Sequence, residues 1–323
     1  MKRRNLIKFA SALPFINISN TFATARVNFP KVVEIVVPYT PGGSNDVFAR
    51  ALAKKITENE KINIIVENKP GAGGSFGAVQ VAQSSGNGEY LLIGSNSMVM
   101  NAVVQTKPKY HPVESFKTVS VLNRGPNLIL VSKNSKYNSL AELIEGVKSG
   151  EVKTYGSAGI GSAAHLFTEM LNRELNSNIM HVPYKGITNA IIDMMGENID
   201  LVIATPASAS GQIKAGLIKA LGVTSAGNSD FFPDLEPVTN YLPNYIADSW
   251  WGIFASNKTS PELLSELHRI FDTASKDQEM IEMFKREATI PTYMGQKEAE
   301  NFVAEETETW GKVAKSRNIT SDN

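Results

Sequence analysis

The chain has 323 residues, with 32 Lys and Arg against 32 Asp and Glu, and no cysteine. Such a balance lacks the clustered basic footprint of a nucleic-acid or membrane-surface binder. The missing thiols exclude disulfides, thiolate catalysis, lipoprotein anchoring and cysteine-ligated zinc or iron–sulfur sites.

Residues 1–25, MKRRNLIKFASALPFINISNTFATA, carry the three parts of an export signal. Lys2, Arg3 and Arg4 make a basic start, residues 9–18 a short apolar segment broken by Ser11, Pro14 and Asn17, and Ala23-Thr24-Ala25 an A-x-A cleavage site. The mature chain is expected to begin at Arg26 and to reside in the periplasm. The Arg3-Arg4 pair also fits a twin-arginine signal. No run approaches the roughly 18 apolar residues that a membrane span needs. Cleavage removes four of the 32 basic residues and none of the acidic ones, leaving a mildly acidic chain of about 300 residues, enough for two ordinary domains.

Beyond the signal, short Val- and Ile-rich runs alternate with helical-period segments, the pattern of βαβ units around largely parallel sheets. Strands are expected at 32–38, 63–67, 90–94, 118–122, 128–131, 153–156, 180–182, 201–204 and 220–223. Within 45–57, Val47, Phe48, Ala51, Leu52 and Ile56 recur near helical spacing, with Arg50, Lys54 and Lys55 opposite. Ser139 caps a helix through Val147, and Glu142 completes a capping box. DFFPDLEPVTNYLPNY (230–245) reads as a long irregular connection into the apolar strand SWWGIFA. From Ser260 onward only helix signals remain: a stripe of Leu263, Leu264, Leu267, Ile270 and Phe271, then 277–287, then a last helix from Gln296 bearing Phe302, Val303, Trp310 and Val313. These helices are expected to cover a sheet.

Four strand-to-helix loops are rich in glycine or small hydroxyls: TPGGSND (40–46), ENKPGAGGSFG (67–77), GSNS (94–97) and GSAGIGSAAH (156–165). Each offers uncovered amides and a helix dipole, a combination that favours a carboxylate or a phosphate. Gly159 to Ala164 fit the dinucleotide pattern G-x-G-x-x-A, but the next strand runs into Pro183-Tyr184-Lys185 without the acidic residue that holds a ribose. PGAGGSFG lacks the Gly-Lys-Ser/Thr ending of an NTPase loop. Ser162 and His165, three residues apart, suit a nucleophile and its base, and a secreted Ser/His hydrolase is the alternative reading. Against it, no G-x-S-x-G elbow is present, and no carboxylate is placed to orient the imidazole. A capping Ser162 and a hydrogen-bonding His165 is the simpler account. His111, His181 and His268 lack ligand spacing, so neither a metal nor a cofactor is expected.

Tyr39-Thr40-Pro41-Gly42-Gly43 with Asp46, Val66-Glu67-Asn68-Lys69-Pro70-Gly71-Ala72-Gly73-Gly74, Tyr155-Gly156-Ser157 through His165-Leu166, His181-Val182-Pro183-Tyr184-Lys185-Gly186 and the run 250–254 follow one another in a characteristic order. In order and spacing the chain resembles the tripartite tricarboxylate transporter receptors, also called Bug receptors, up to Trp310-Gly311-Lys312-Val313. The resemblance implies a periplasmic binding protein type II-like α/β fold, with two domains joined by crossover strands around a ligand cleft and the C-terminal helices packed on domain one. It implies a non-catalytic receptor that closes on a small organic anion, a mono- or dicarboxylate, and delivers it to a permease of one large and one small subunit, with no nucleic-acid partner and no membrane insertion. The expected domains are 26–124 with 222–323, and 125–221, hinged near 123–126 and 223–224.

By the same resemblance, the loops 40–46 and 156–162 hold one carboxylate, largely through main-chain amides and bridging waters, the glycines leaving room for it. The ligand-binding residues so expected are Tyr39, Pro41, Gly42, Gly43, Asp46, Ser95, Asn96, Ser157, Ala158, Gly159, Gly161, Ser162, Lys185 and Thr205. Asp46 either fixes loop amides or touches the ligand, and Lys185 either pairs with a distal acid group or stays solvated. Two departures stand out. Ala204-Thr205-Pro206 occupies a place where family members often carry Asp-Asn, and Ile160 one that is often polar. Both point to a less polar cleft, suited to an apolar body with one well-held carboxylate.

Overall fold

The computed structural model describes residues 29–245, 247–316 and 318–321; the expected export signal and cleavage site lie outside the described residues. β1 (Val32–Val37), α1 (Ser44–Glu60), β2 (Asn63–Asn68), α2 (Ser75–Gln83), β3 (Tyr90–Ser95) and α3 (Asn96–Val104) lead to the long β4 (Phe116–Gly125). There follow β5 (Leu128–Ser132), α4 (Leu140–Lys148), β6 (Thr154–Ser157), α5 (Ala163–Glu174), β7 (Met180–Pro183), α6 (Ile187–Met195), β8 (Leu201–Ala204), α7 (Pro206–Lys214) and β9 (Ile218–Val223). β10 (Ser249–Ser256), α8 (Pro261–Ser275), α9 (Gln278–Arg286), β11 (Ile290–Pro291) and α10 (Gln296–Ser316) complete the chain.

The strands form two sheets, in the orders β11-β4-β10-β3-β1-β2 and β7-β6-β8-β5-β9. β1 lies parallel to β2 and β3, and β6 parallel to β7 and β8. The sheets are nonetheless mixed: β10 runs antiparallel to β3 and β4, and β5 antiparallel to β8 and β9. β5 and β10 are the strands the chain enters on crossing between sheets, where no helical crossover restores the common direction.

The two adjacent tryptophans of β10 point to opposite faces of the first sheet, as strand geometry requires. Trp251 meets Phe48 of α1 edge-on at 4.8 Å in a cluster that includes the apolar stripe of α8 and Phe284 of α9. Trp250 packs on Phe302 of α10 at 5.3 Å and donates Nε1–H to Glu306. The last helices therefore cover the first sheet on both faces, as their patterns suggested. α10 also reaches the second sheet's layer, where Trp310 lies 5.8 Å from Phe167 of α5.

Two local readings need correction. β11 interrupts the run read as helix alone; its two residues pair with Arg124 and Asn123 of β4, a contact too short to leave a periodic trace and tolerant of proline at a sheet edge. At α4, Ser139 Oγ accepts the Glu142 amide at 3.2 Å, but the Glu142 carboxylate takes the Asn138 amide rather than that of the cap.

The crossings between sheets are tied together. Asn127 N–H donates to Thr224 Oγ1, which in turn donates to the Ala247 carbonyl, both at 2.9 Å, and Ser249 Oγ donates to Asn127 Oδ1 at 3.1 Å. The intervening connection leans on the second lobe, with Pro237 bridged to Val223 and Phe232 and Leu235 in its apolar cluster.

Candidate ligand-binding cleft

β1, β3, β6 and β8 each end where the two sheets face one another, and each leads into a helix. The caps of those helices are Gly43 for α1, Ser95 for α3, Ser162 for α5 and Thr205 for α7. All four border one hollow of about 60 Å³, two contributed by each lobe. A helix's first-turn amides lack intrahelical partners and carry the positive end of its dipole. Among the described residues, no Lys or Arg lines this hollow. The groups that would draw an anion there are main-chain amides at helix starts rather than cationic side chains.

The four helix starts form two pairs across the seam. Ser44 N–H of α1 donates to Ser208 Oγ of α7 at 3.2 Å, and Ala163 N–H of α5 donates to Ser97 Oγ of α3 at 2.9 Å. Trp251 Nε1–H donates to Ser44 Oγ at 3.2 Å and Asn45 Nδ2 to the Ile93 carbonyl at 2.9 Å, fixing the start of α1 on its sheet. Asn127 and Ser249 also line the hollow, so the tied crossings form part of its wall.

Asp46 holds the first loop. Its Oδ2 accepts the Gly42 amide, and its Oδ1 accepts Arg50 Nε and Asn68 Nδ2, all at 3.0 Å. Burial pushes this carboxyl upward, but the bonds from Arg50, Gly42 and Asn68 outweigh it and hold it below the usual carboxylate range. Both oxygens are engaged, so the arrangement favours the loop-fixing role of the two that the sequence left open. Burial pushes the Tyr39 phenol up to about 12, and its hydroxyl donates to the Gly73 carbonyl at 3.0 Å.

Of the residues expected from sequence, Tyr39, Gly43, Asp46, Ser95, Asn96, Ala158, Ser162 and Thr205 line the hollow. Pro41, Gly42, Ser157, Gly159, Gly161 and Lys185 do not. Gly42 faces Thr188 of the second lobe, and the Pro41 carbonyl accepts from the Thr188 hydroxyl. Ser157 is wholly buried, its Oγ accepting the Gly159 amide at 3.0 Å and lying 2.6 Å from His181 Nε2. A methyl added to Gly159 would lie 3.2 Å from the backbone of Gly73, and one on Gly161 2.7 Å from Asn101. These glycines let the lobes touch. Their amides are largely spent within the loop, that of Gly161 on His165 Nδ1 at 3.1 Å.

The two supposed losses of polarity also read differently. Ile160 borders an outer groove, not the hollow, and Thr205 brings a hydroxyl 2.9 Å from Ser208 Oγ. Sequence reasoning missed Ser97, Asn127, Ser208, Ser249 and Trp251. The hydroxyls three residues into α7 and just before the two tryptophans carry no motif, and only the facing of the lobes brings them together.

Ser162 and His165 are not arranged as nucleophile and base. Ser162 Oγ caps α5 by accepting the His165 main-chain N–H at 3.4 Å, while the imidazole Nδ1 is taken by Gly161. The His165 ring stacks on His181 at 4.3 Å, and His181 on Tyr155 at 4.9 Å. Burial pushes both imidazoles down to about 4, for His181 with help from His165.

A family model described as "Tripartite tricarboxylate transporter family receptor" matches residues 48–319. The fold is similar to that of the solved periplasmic binding protein BugD, with a TM-score of 0.86 and 27% identity, covering 90% of this chain and 99% of that one. A Rhodopseudomonas palustris protein solved with adipate gives a TM-score of 0.83 at 28% identity, covering 91% and 99%. MatC from Rhodopseudomonas palustris, solved with bound malate, gives 0.83 at 25% identity, covering 88% and 99%.

Proposed function

The chain belongs to the tripartite tricarboxylate transporter receptor family, whose members are solute-binding receptors rather than enzymes, and from that premise we propose that it captures a small dicarboxylate in the periplasm and hands it to a membrane permease. The observation that carries this reading is the convergence of four helix starts, two from each lobe, on a hollow without a cationic side chain. Main-chain amides at helix starts recognise carboxylates without the flexibility of a lysine. One carboxylate sits at the α1/α7 pair and the other at the α3/α5 pair, with a short carbon chain against Ile187, Ile203 and Trp251. Malate and adipate in the related structures support this class. The small volume favours such an acid over a sugar chain or a peptide.

The gly-rich loops, through Pro41, Gly42, Ser157, Gly159 and Gly161, shape the closed cleft rather than touch the acid. The lobes divide at the tied crossings near Asn127 and Thr224, with residues 26–124 and most of 222–323 in one and 125–221 in the other, and the connection after Thr224 riding on the second. The signal directs export and is cleaved after Ala25, and the permease is of the kind the family is named for.

The test is calorimetry and thermal shift of the mature protein with malate, succinate and adipate, against acetate, benzoate, arginine and glucose. The dicarboxylates should saturate and raise Tm by several degrees; at a hundredfold excess over Kd the gain is about 2.7 kcal/mol. Stabilisation by arginine or glucose, with none by malate, succinate or adipate, defeats the reading.

A further inference from the structure

On the outer side of the lobe seam, a second depression of about 580 Å³ runs over the contact between Gly73 and Gly159. Its walls carry Lys107 and Lys109 from the segment after α3, and Lys185 from the segment after β7. All three lysines are exposed. No carboxylate lines the groove among the described residues. Some lysines elsewhere are paired, as Lys55 with Asp277, Lys69 with Glu67 and Lys136 with Glu151, whereas the groove lining offers its three no acidic partner. At the groove's edge the Phe76 ring lies over Gly71 and is 57% exposed, an unusual degree for an aromatic side chain.

Three cations around one groove, on a chain that is otherwise mildly acidic once the signal is removed, describe the complement of a negatively charged partner. A small free anion is the poorer match, because the lysines are solvated and screened and each exposed pairing contributes little. An extended chain with several carboxylates meets all three at once, and an aromatic at the rim supplies an apolar anchor. The groove belongs to neither lobe alone: Lys107, Lys109 and the Gly71 to Gly73 floor move with the first sheet, Lys185 and the Gly159-Ile160 floor with the second.

We propose that this seam groove is a docking surface for an acidic, extended segment of a partner protein, and that it exists only while the lobes are closed. The proposal rests on the two-lobe receptor reading, since opening would draw Lys185 away from Lys107 and Lys109 and split the floor.

The test is fluorescence anisotropy of a labelled decaglutamate peptide against the mature protein saturated with adipate, at low salt. The wild type should bind, and the triple variant Lys107→Glu, Lys109→Glu, Lys185→Glu should bind at least tenfold more weakly. Gly186→Ala, which keeps every lysine but sets a methyl against Thr40 across the seam, should weaken binding several-fold. Charge reversal at Lys54 and Lys61, away from the groove, should leave it unchanged. Equal weakening by the distant reversals, full-strength binding by Gly186→Ala, or displacement by inorganic phosphate as effective as by unlabelled peptide overturns the proposal. Adipate calorimetry on the triple variant separates the two readings, because none of its lysines lines the hollow. Adipate bound with no peptide effect sinks the docking surface alone; no carboxylate bound by any form sinks the receptor reading.

Discussion

Gly186 is a position where one added carbon atom would meet the other lobe. A methyl there would lie 1.9 Å from Thr40 Oγ1 and 3.0 Å from Thr40 Cβ on the other lobe, yet its backbone is extended at φ −171° and strain-free for any residue. Gly186→Ala should therefore leave the Tm of the unliganded protein nearly unchanged while weakening dicarboxylate binding about tenfold, or ~1.4 kcal/mol, as calorimetry would show. Gly150, at φ +75° with open space around it, should behave oppositely: alanine costs about 1 kcal/mol of stability and leaves affinity alone. The glycines were legible in the sequence, but their purpose was not. An anion and an approaching backbone both exclude a side chain, and only the facing lobe tells which is present.

The buried imidazoles give a pH dependence with a definite sign. Their native affinity for protons is depressed to about 4, below the ordinary value near 6.5. As pH falls through that ordinary value the unfolded chain takes up protons that the fold refuses, so stability declines between about 6.5 and 4 and then levels off. Equilibrium denaturation across that range should show the decline shrink in a His165→Gln, His181→Gln variant.

Among the elements, the amphipathic helices and the apolar strands were legible because their signal is local and repeats. The stripe of Leu263, Leu267, Ile270 and Phe271 on α8 buries as its period requires. β11 was not, because a two-residue strand exists only by virtue of its partner. The helix starts carry separable tasks. Ser139 caps α4 far from the hollow, so Ser139→Ala should cost about 1 kcal/mol of stability with unchanged affinity. Ser208 takes its bond across the seam, so Ser208→Ala should lower affinity several-fold at little cost in Tm. Equal effects of the two on binding would argue against the pairing of α1 with α7.

For the whole molecule, the tied crossings at Asn127, Thr224 and Ala247 reach the wall of the hollow itself through Asn127 and Ser249, so the hinge proposed there would be part of the site. On the proposed receptor reading, ligand contact and lobe movement would be one event rather than two linked ones. Small-angle scattering should record a smaller radius of gyration on adding adipate to the wild type and little change in Gly186→Ala. An unchanged radius in both, with adipate bound, would mean that the lobes do not move.

The sequence by itself determined the alternation of strands and helices, the exclusion of thiol chemistry and the amide-rich loops at strand ends, since each depends on residues a few positions apart. Only the tertiary structure decided that three of those loops share one hollow with the start of α7 and that Ser208 answers Ser44 across 164 positions of chain. It also assigned Gly42, Gly43, Gly73, Gly159, Gly161 and Gly186 to a seam. Those outcomes depend on how two sheets are set against each other, which is the sum of many weak packing terms and leaves no local pattern to read.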